Sequence, residues 1–124
     1  MPTLAAHLEL AETKALPGAR IRYSVVNDGP VPIMLGEHYS LEHLSDRGWE
    51  GLPTLMFHLV GYYLPEGARH ELDLRIPEDA HPGRYRIRKR LDADRDPRPG
   101  SEWLRGHKIE PIELTGAFDV VRAG

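Results

Sequence analysis

Four arginines stand at alternate positions in Arg84-x-Arg86-x-Arg88-x-Arg90, the sharpest chemical feature of this 124-residue chain. On an extended strand alternate side chains share a face, and at ~3.3 Å per residue these groups form a row roughly 20 Å long. Guanidinium forks suit carboxylate-rich or phosphate-rich partners, which they hold by paired hydrogen bonds. The row reads equally as a solvated outer face, with stems over apolar neighbours and heads paired to acids. Charge balance supports that plainer reading: 16 Lys+Arg stand against 19 Asp+Glu, a net charge of −3. No aromatic residue alternates with the arginines, so the stacking platform of a single-strand nucleic-acid binder is missing and no nucleic-acid partner is expected.

Other chemistries have less support. Asp92-Ala93-Asp94-Arg95-Asp96 opens like a calcium loop, but the sixth position, which must be Gly, is Pro97, and the twelfth, which must be Glu, is Trp103. Asp92, Asp94 and Asp96 could still meet a cation, although Arg95 and Arg98 would offset much of their charge. Among the seven His, His38 and His43 are five apart and face opposite sides of a strand, and no His-x-His or His-x-x-x-His pair exists. No metal and no cofactor is expected. Ser24, Ser40, Ser45 and Ser101 lie outside any Gly-x-Ser-x-Gly elbow, and Cys is absent, which excludes thiolate catalysis, thiolate metal sites and disulfides. Glu78 and Asp79 follow Pro77 as turn residues, and no phosphate-cradling Gly loop precedes a helix. His58, inside Leu55-Met56-Phe57-His58-Leu59-Val60, reads as a satisfied or edge histidine rather than a ligand.

The elements that carry these residues are short strands. Twelve Gly and 11 Pro fall in clusters, such as Asn27-Asp28-Gly29-Pro30, Ser45-Asp46-Arg47-Gly48 and Pro77 to Gly83, that supply turn chemistry. Between them apolar and polar residues alternate. Leu4, Ala6, Leu8 and Leu10 share a face; so do Ile21, Tyr23 and Val25, then Leu72, Leu74 and Ile76, then Tyr85 and Ile87, then Phe118 and Val120. Val31 to Leu35 is apolar on both faces, as an interface strand would be, and Tyr39 to Leu44 turns at Ser45–Gly48 into a hairpin ahead of Trp49. Lys89 breaks the alternation opposite the arginine row, which places it near the strand's end. The stretch 92–113, with Pro97, Pro99 and Pro111, is expected to be an extended connection packed down by Trp103 and Ile109. Length and composition fit one domain over 1–124, and the pattern predicts an all-β, antiparallel β-sandwich of about seven or eight strands. No membrane insertion is expected, because the longest apolar stretch, Leu52 to Leu64, is interrupted and shorter than the roughly 20 residues a spanning helix needs. With no signal peptide at Met1 to Glu9, a full-length chain would be cytoplasmic; the compartment is otherwise unknown.

The ordered segments Val25-Val26-Asn27, Gly36-Glu37-His38-Tyr39-Ser40-Leu41-Glu42, Trp49-Glu50-Gly51-Leu52-Pro53, Leu64-Pro65-Glu66-Gly67 and Pro82-Gly83-Arg84-Tyr85-Arg86-Ile87 resemble a bacterial immunoglobulin-like domain family. The resemblance spans about Pro17 to Leu91 and resumes weakly at Ala117-Phe118-Asp119-Val120, with 92–113 as an insertion-like departure. It implies an immunoglobulin-like sandwich with Greek-key connections. Tyr85 would sit at the corner before the sixth strand with its hydroxyl bonded back upstream, and Ile87 would replace the usual Cys, packed on Val25 or Tyr23. It also implies an accessory or adhesive role and no catalytic residue set.

In such an order the Arg69–Ile76 strand pairs with the Arg20–Val25 strand, setting Arg20 and Arg22 opposite Glu71 and Asp73. Pro32 and Met34, with Val121 nearby, then form an apolar strip beside the arginine row. The expected function is a non-catalytic binding module that contacts a protein partner or its own copy in a homo-oligomer through Pro32, Met34, Arg84, Arg86 and Arg88. The alternative is a ligand- or metal-binding sandwich using 92–107 with Trp103 as apolar wall, and a small β-fold enzyme ranks last.

Overall fold

The computed structural model describes residues 2–53, 57–96 and 98–122. Its strands are β1 (Ala6–Leu10), β2 (Lys14–Ala15), β3 (Arg20–Asn27), β4 (Ile33–Leu35), β5 (Ser40–Ser45), β6 (Gly48–Gly51), β7 (Tyr62–Leu64), β8 (Arg69–Arg75), β9 (Gly83–Ala93) and β10 (Ile112–Val120). A single 3-10 turn, Glu102–Leu104, is the only helical element among the described residues. The smaller sheet runs β1-β3-β8, and the larger runs β2-β10-β9-β4-β7, with the β5–β6 hairpin also joined to β9. The fold is thus the expected all-β, immunoglobulin-like sandwich. All pairings are antiparallel except β2 with β10, which is parallel.

Period-two patterning builds both layers. In β3, Ile21, Tyr23 and Val25 are buried while Arg20 and Arg22 face solvent; in β9, Tyr85, Ile87 and Leu91 are buried beneath the arginine row. Leu74, Ile76, Phe118 and Val120 complete the layer between the sheets. The buried side chain of Asn27 closes the turn after β3: its amide donates to Val31 O (2.9 Å) and Leu64 O (3.0 Å), and its oxygen accepts from Gly29 N (3.0 Å). At the corner before β9 the Tyr85 hydroxyl donates to His81 O at 2.7 Å, as the family resemblance implies.

Ten strands appear where about seven or eight were expected; β2 and β7, two and three residues long, are too short to show an alternation. β5 pairs with Tyr85–Arg88 of β9 and β4 with Asp92–Ala93, on the same side of β9, with 36–39 bowed out between them. Lys89 lies at that break, in mid-strand and 1% exposed, not near the strand's end. Other expectations also change with register. Arg22 does face Asp73 (3.5 Å) and reaches Glu71 (3.3 Å), but Arg20 stands opposite Arg75. Val121 is remote from Met34: β10 runs antiparallel to β9, so Val120 pairs with Gly83 and Met34 with Asp92, about 30 Å apart along the strand. The connection after β9 is held down by Ile109, which is buried, and not by Trp103, which is 49% exposed.

Two tyrosines give opposite expectations. The Tyr85 hydroxyl is bonded, whereas that of Tyr23 is the one buried side-chain polar atom without a partner among the described residues. Tyr85→Phe is expected to cost about 1 kcal/mol in urea melts, and Tyr23→Phe to be neutral or stabilising, since it removes an unsatisfied group.

Candidate functional site

The outer face of the larger sheet presents the arginine row with its partners. β9 projects Arg84, Arg86, Arg88 and Arg90; β5 contributes Glu42 and Leu44, β6 Trp49, and β10 Glu113 and Asp119. The shortest ion pairs of this face lie at its centre. Arg86 Nε donates to Glu42 Oε1 at 2.6 Å, and its guanidinium lies 4.4 Å from the centre of the Trp49 ring. Arg88 bridges Glu42 (3.2 Å) and Glu113 (2.6 Å). Burial pushes the Glu42 carboxyl up, but hydrogen bonds and charge from Arg86 and Arg88 outweigh it and hold the group below the usual carboxylate range. At the margins Arg84 meets Asp119 at 3.4 Å and Arg90 meets Asp92 at 3.3 Å; these exposed pairs contribute about 0–1 kcal/mol each. Each arginine head therefore has an acid, as the plainer reading of the row holds. Trp49 is the residue that reading missed. It reaches Arg86 from two strands away, a contact visible only once β5, β6 and β9 lie side by side.

The remaining expected contact residues do not gather with the arginines. Pro32 is buried, its carbonyl accepting from Asp94 N at 2.9 Å, so it presents no contact surface. Met34 is half-buried at the far end of β9, its sulfur close against Gly61. Trp103 stands on the connection, and the cavity there, about 310 Å³, is walled by Leu104 and Ile109 instead. Asp94 is buried and bound to Arg98 (2.6 Å), whose guanidinium lies 3.9 Å from the centre of the Tyr63 ring. Asp92 is engaged by Arg90, so the three aspartates do not converge on a free site. No group of three or more His, Cys, Asp or Glu is placed to hold a metal among the described residues. Leu55, Met56 and Pro97 lie outside those residues, and His58 is exposed.

A second cleft, about 420 Å³, opens between the β5–β6 hairpin and the 77–81 corner, where Ser40, His43, Asp79 and His81 meet an apolar floor of Leu41, Leu52 and Tyr85. The His43 ring stacks on Tyr85 with centroids 4.5 Å apart. Gly83, at φ +150°, leaves room for it: a Cβ there would lie 2.8 Å from His43 Nε2. Ser40, His43 and Asp79 are not hydrogen-bonded to one another, so the cleft holds no assembled nucleophile–base pair. On the smaller sheet, His7 bridges Asp28 (2.6 Å) and Glu9 (2.8 Å). Those hydrogen bonds, Asp28's first, raise its pKa, so the bridge strengthens as pH falls.

Inside the sheet, Lys89 has the position that the apolar alternation reserves for a Leu or Ile. Its amine donates to Gly36 O and to His38 O (2.6 Å), carbonyls of the bowed 36–39 segment, which does not pair with the β9 backbone. The amine thus pins the break between β4 and β5.

Comparison with known proteins follows this geometry. The model of the bacterial Ig-like domain matches residues 4–103, and the chain belongs to that family. The match runs into the connection after β9, past the point where the sequence segments above lose their likeness. The family is generally one of non-catalytic modules. No match was found among curated proteins. Among solved structures, the chain is similar to the sporulation control protein Spo0M of Bacillus subtilis (11% identity, TM-score 0.50, covering 100% of this chain and 51% of that one). Weaker likenesses are to the alkylpurine DNA glycosylase AlkC of Pseudomonas fluorescens, bound to DNA containing an abasic site analogue (18%, 0.47, 97% and 30%). Another is to a family 123 glycoside hydrolase of Clostridium perfringens (12%, 0.46, 98% and 28%). The likeness to Spo0M is one of fold, and this chain spans about half the length of that structure.

Burial pushes the Lys89 amine down to about 8, against 10.5 for an exposed lysine. Below pH 8 folded and unfolded chains both hold the proton, and burying the charge opposes folding in full. Between pH 8 and 10 the folded chain releases it first, so stability rises with pH, by up to about 1.4 kcal/mol per unit from this group. Urea melts across that window are expected to show the rise, and Lys89→Met to flatten it.

Proposed function

We propose that the chain is a non-catalytic binding module, and that it contacts protein through the outer face of the larger sheet, centred on Arg86. The observation that carries the reading is the Arg86 guanidinium held between the Trp49 ring and the Glu42 carboxylate, beside the exposed Leu44. Trp and Arg are enriched among the few residues that dominate interface energy, and side chains already fixed in the free protein lose little entropy on binding. The surrounding ion pairs form a polar rim of the kind that closes such centres. Membership of a family of non-catalytic modules supports the same reading.

A second copy is the partner most readily tested. Light scattering from about 10 µM to 1 mM is expected to show a dimer that Arg86→Glu and Trp49→Asp each abolish. A mass that stays at 14.0 kDa throughout removes self-association, and a dimer indifferent to both changes removes this face.

A further inference from the structure

We infer that the groove between β8 and the bowed 36–39 segment binds a methylated ammonium group, the cation of a choline-like small molecule or of a trimethylated lysine. This site is distinct from the outer face of the larger sheet. Four rings, those of Tyr39, Phe57, Tyr62 and His70, border its volume of about 310 Å³. They stand in two contacting pairs. Phe57 is edge-on to Tyr39 at 4.9 Å between centroids, and Tyr62 is tilted on His70 at 4.1 Å.

The strands explain why these rings are open to a ligand. The period of two in β8 sets His70 and Leu72 on the same side as Leu74. Leu74 is fully buried, whereas His70 and Leu72 are only half-buried, so the layer between the sheets opens here. Tyr39 and Tyr62 are each held at the hydroxyl. Arg75 N and the Tyr39 oxygen are 2.8 Å apart, and the Tyr62 hydroxyl donates to Glu37 Oε1 at 3.0 Å. The second bond fixes the Glu37 carboxylate beside the Tyr62 ring.

Ring faces and one carboxylate select the occupant. Glu71 and Asp73 take no part, because both meet Arg22, at 3.3 and 3.5 Å, and Arg20, Arg69 and Arg75 share that solvent face. The selecting charge is Glu37, in a described lining that holds no Lys or Arg. The Lys89 amine feels that charge, but its protons go to Gly36 O and His38 O. A methylated ammonium donates no hydrogen bond; it needs aromatic faces and a nearby negative charge. A bare ammonium needs an acceptor for each N–H, which rings do not supply. A hard metal ion needs a shell of oxygens, and no group of three or more acids or His is placed to hold one among the described residues.

The test titrates the protein with choline and with dimethylbutanol, its uncharged carbon isostere, by calorimetry and by NMR of the Glu37 and His70 amides. Choline is expected to bind with a Kd of about 1 mM or tighter, at least about tenfold more tightly than dimethylbutanol. Glu37→Gln keeps an acceptor for Tyr62 and removes the charge. It is expected to weaken choline about fivefold and leave dimethylbutanol unchanged, a difference that loss of fold does not produce. Phe57→Leu removes a ring and is expected to weaken choline while the melt stays cooperative. A short peptide carrying trimethyllysine separates the sources: tighter binding than choline assigns the cation to a modified protein, weaker binding to a free small molecule. Equal binding of choline and dimethylbutanol, no binding of either cation at about 10 mM, or choline binding that survives both Glu37→Gln and Phe57→Leu overturns the proposal.

Discussion

The structure depends on β9, an eleven-residue strand that must be apolar on one side and cationic on the other. Its inner side chains Tyr85, Ile87, Leu91 and Ala93 join the packed layer between the sheets, and every neighbouring strand is placed by pairing with it or by packing under it. The outer side chains cannot be apolar without creating a sticky sheet face, and four uncompensated arginines in a row would repel one another. Glu42, Glu113, Asp119 and Asp92 resolve this from three directions, with Glu42 serving two arginines at once. Removing Glu42 would strand two guanidinium groups; removing an exposed partner such as Asp119 would cost little.

Much of this was legible in the residues, because the period of two survives in β3, β8, β9 and β10 and because Pro-Gly-x-Tyr places the corner at Tyr85. What stayed hidden depended on registers and on backbone groups, which have no residue-type signature. Lys89 reads as a strand end because charge rarely enters a core, yet its parity with Ile87 and Leu91 points inward. Its partners are two carbonyls, which any residues could supply. The acid pairing of the arginine row was foreseeable from charge balance, whereas the Trp49 stack required knowing that β6 sits two strands from β9. Pro32 is buried because it stands where the β4–β9 pairing continues, its carbonyl taking Asp94 N, a register that no residue type announces.

The proposed function rests on a surface rather than on a reacting centre. The cleft at His43 brings Ser, His and Asp to one place but aligns none of them, and Asp92 and Asp94 are paired with Arg90 and Arg98. The outer face of the larger sheet, with Arg86 between Trp49 and Glu42, would recognise a partner by side-chain complementarity. That face follows from a layout in which the larger sheet collects strands on both sides of β9.

Native-state amide hydrogen exchange along β9 tests this account most directly. If the strand is the continuous spine described here, the amides of Tyr85, Ile87, Lys89 and Leu91, which face β10, exchange only through global unfolding, with Lys89 as slow as Ile87. Fast local exchange at Lys89 and beyond, with protection confined to the first half of the strand, would contradict it.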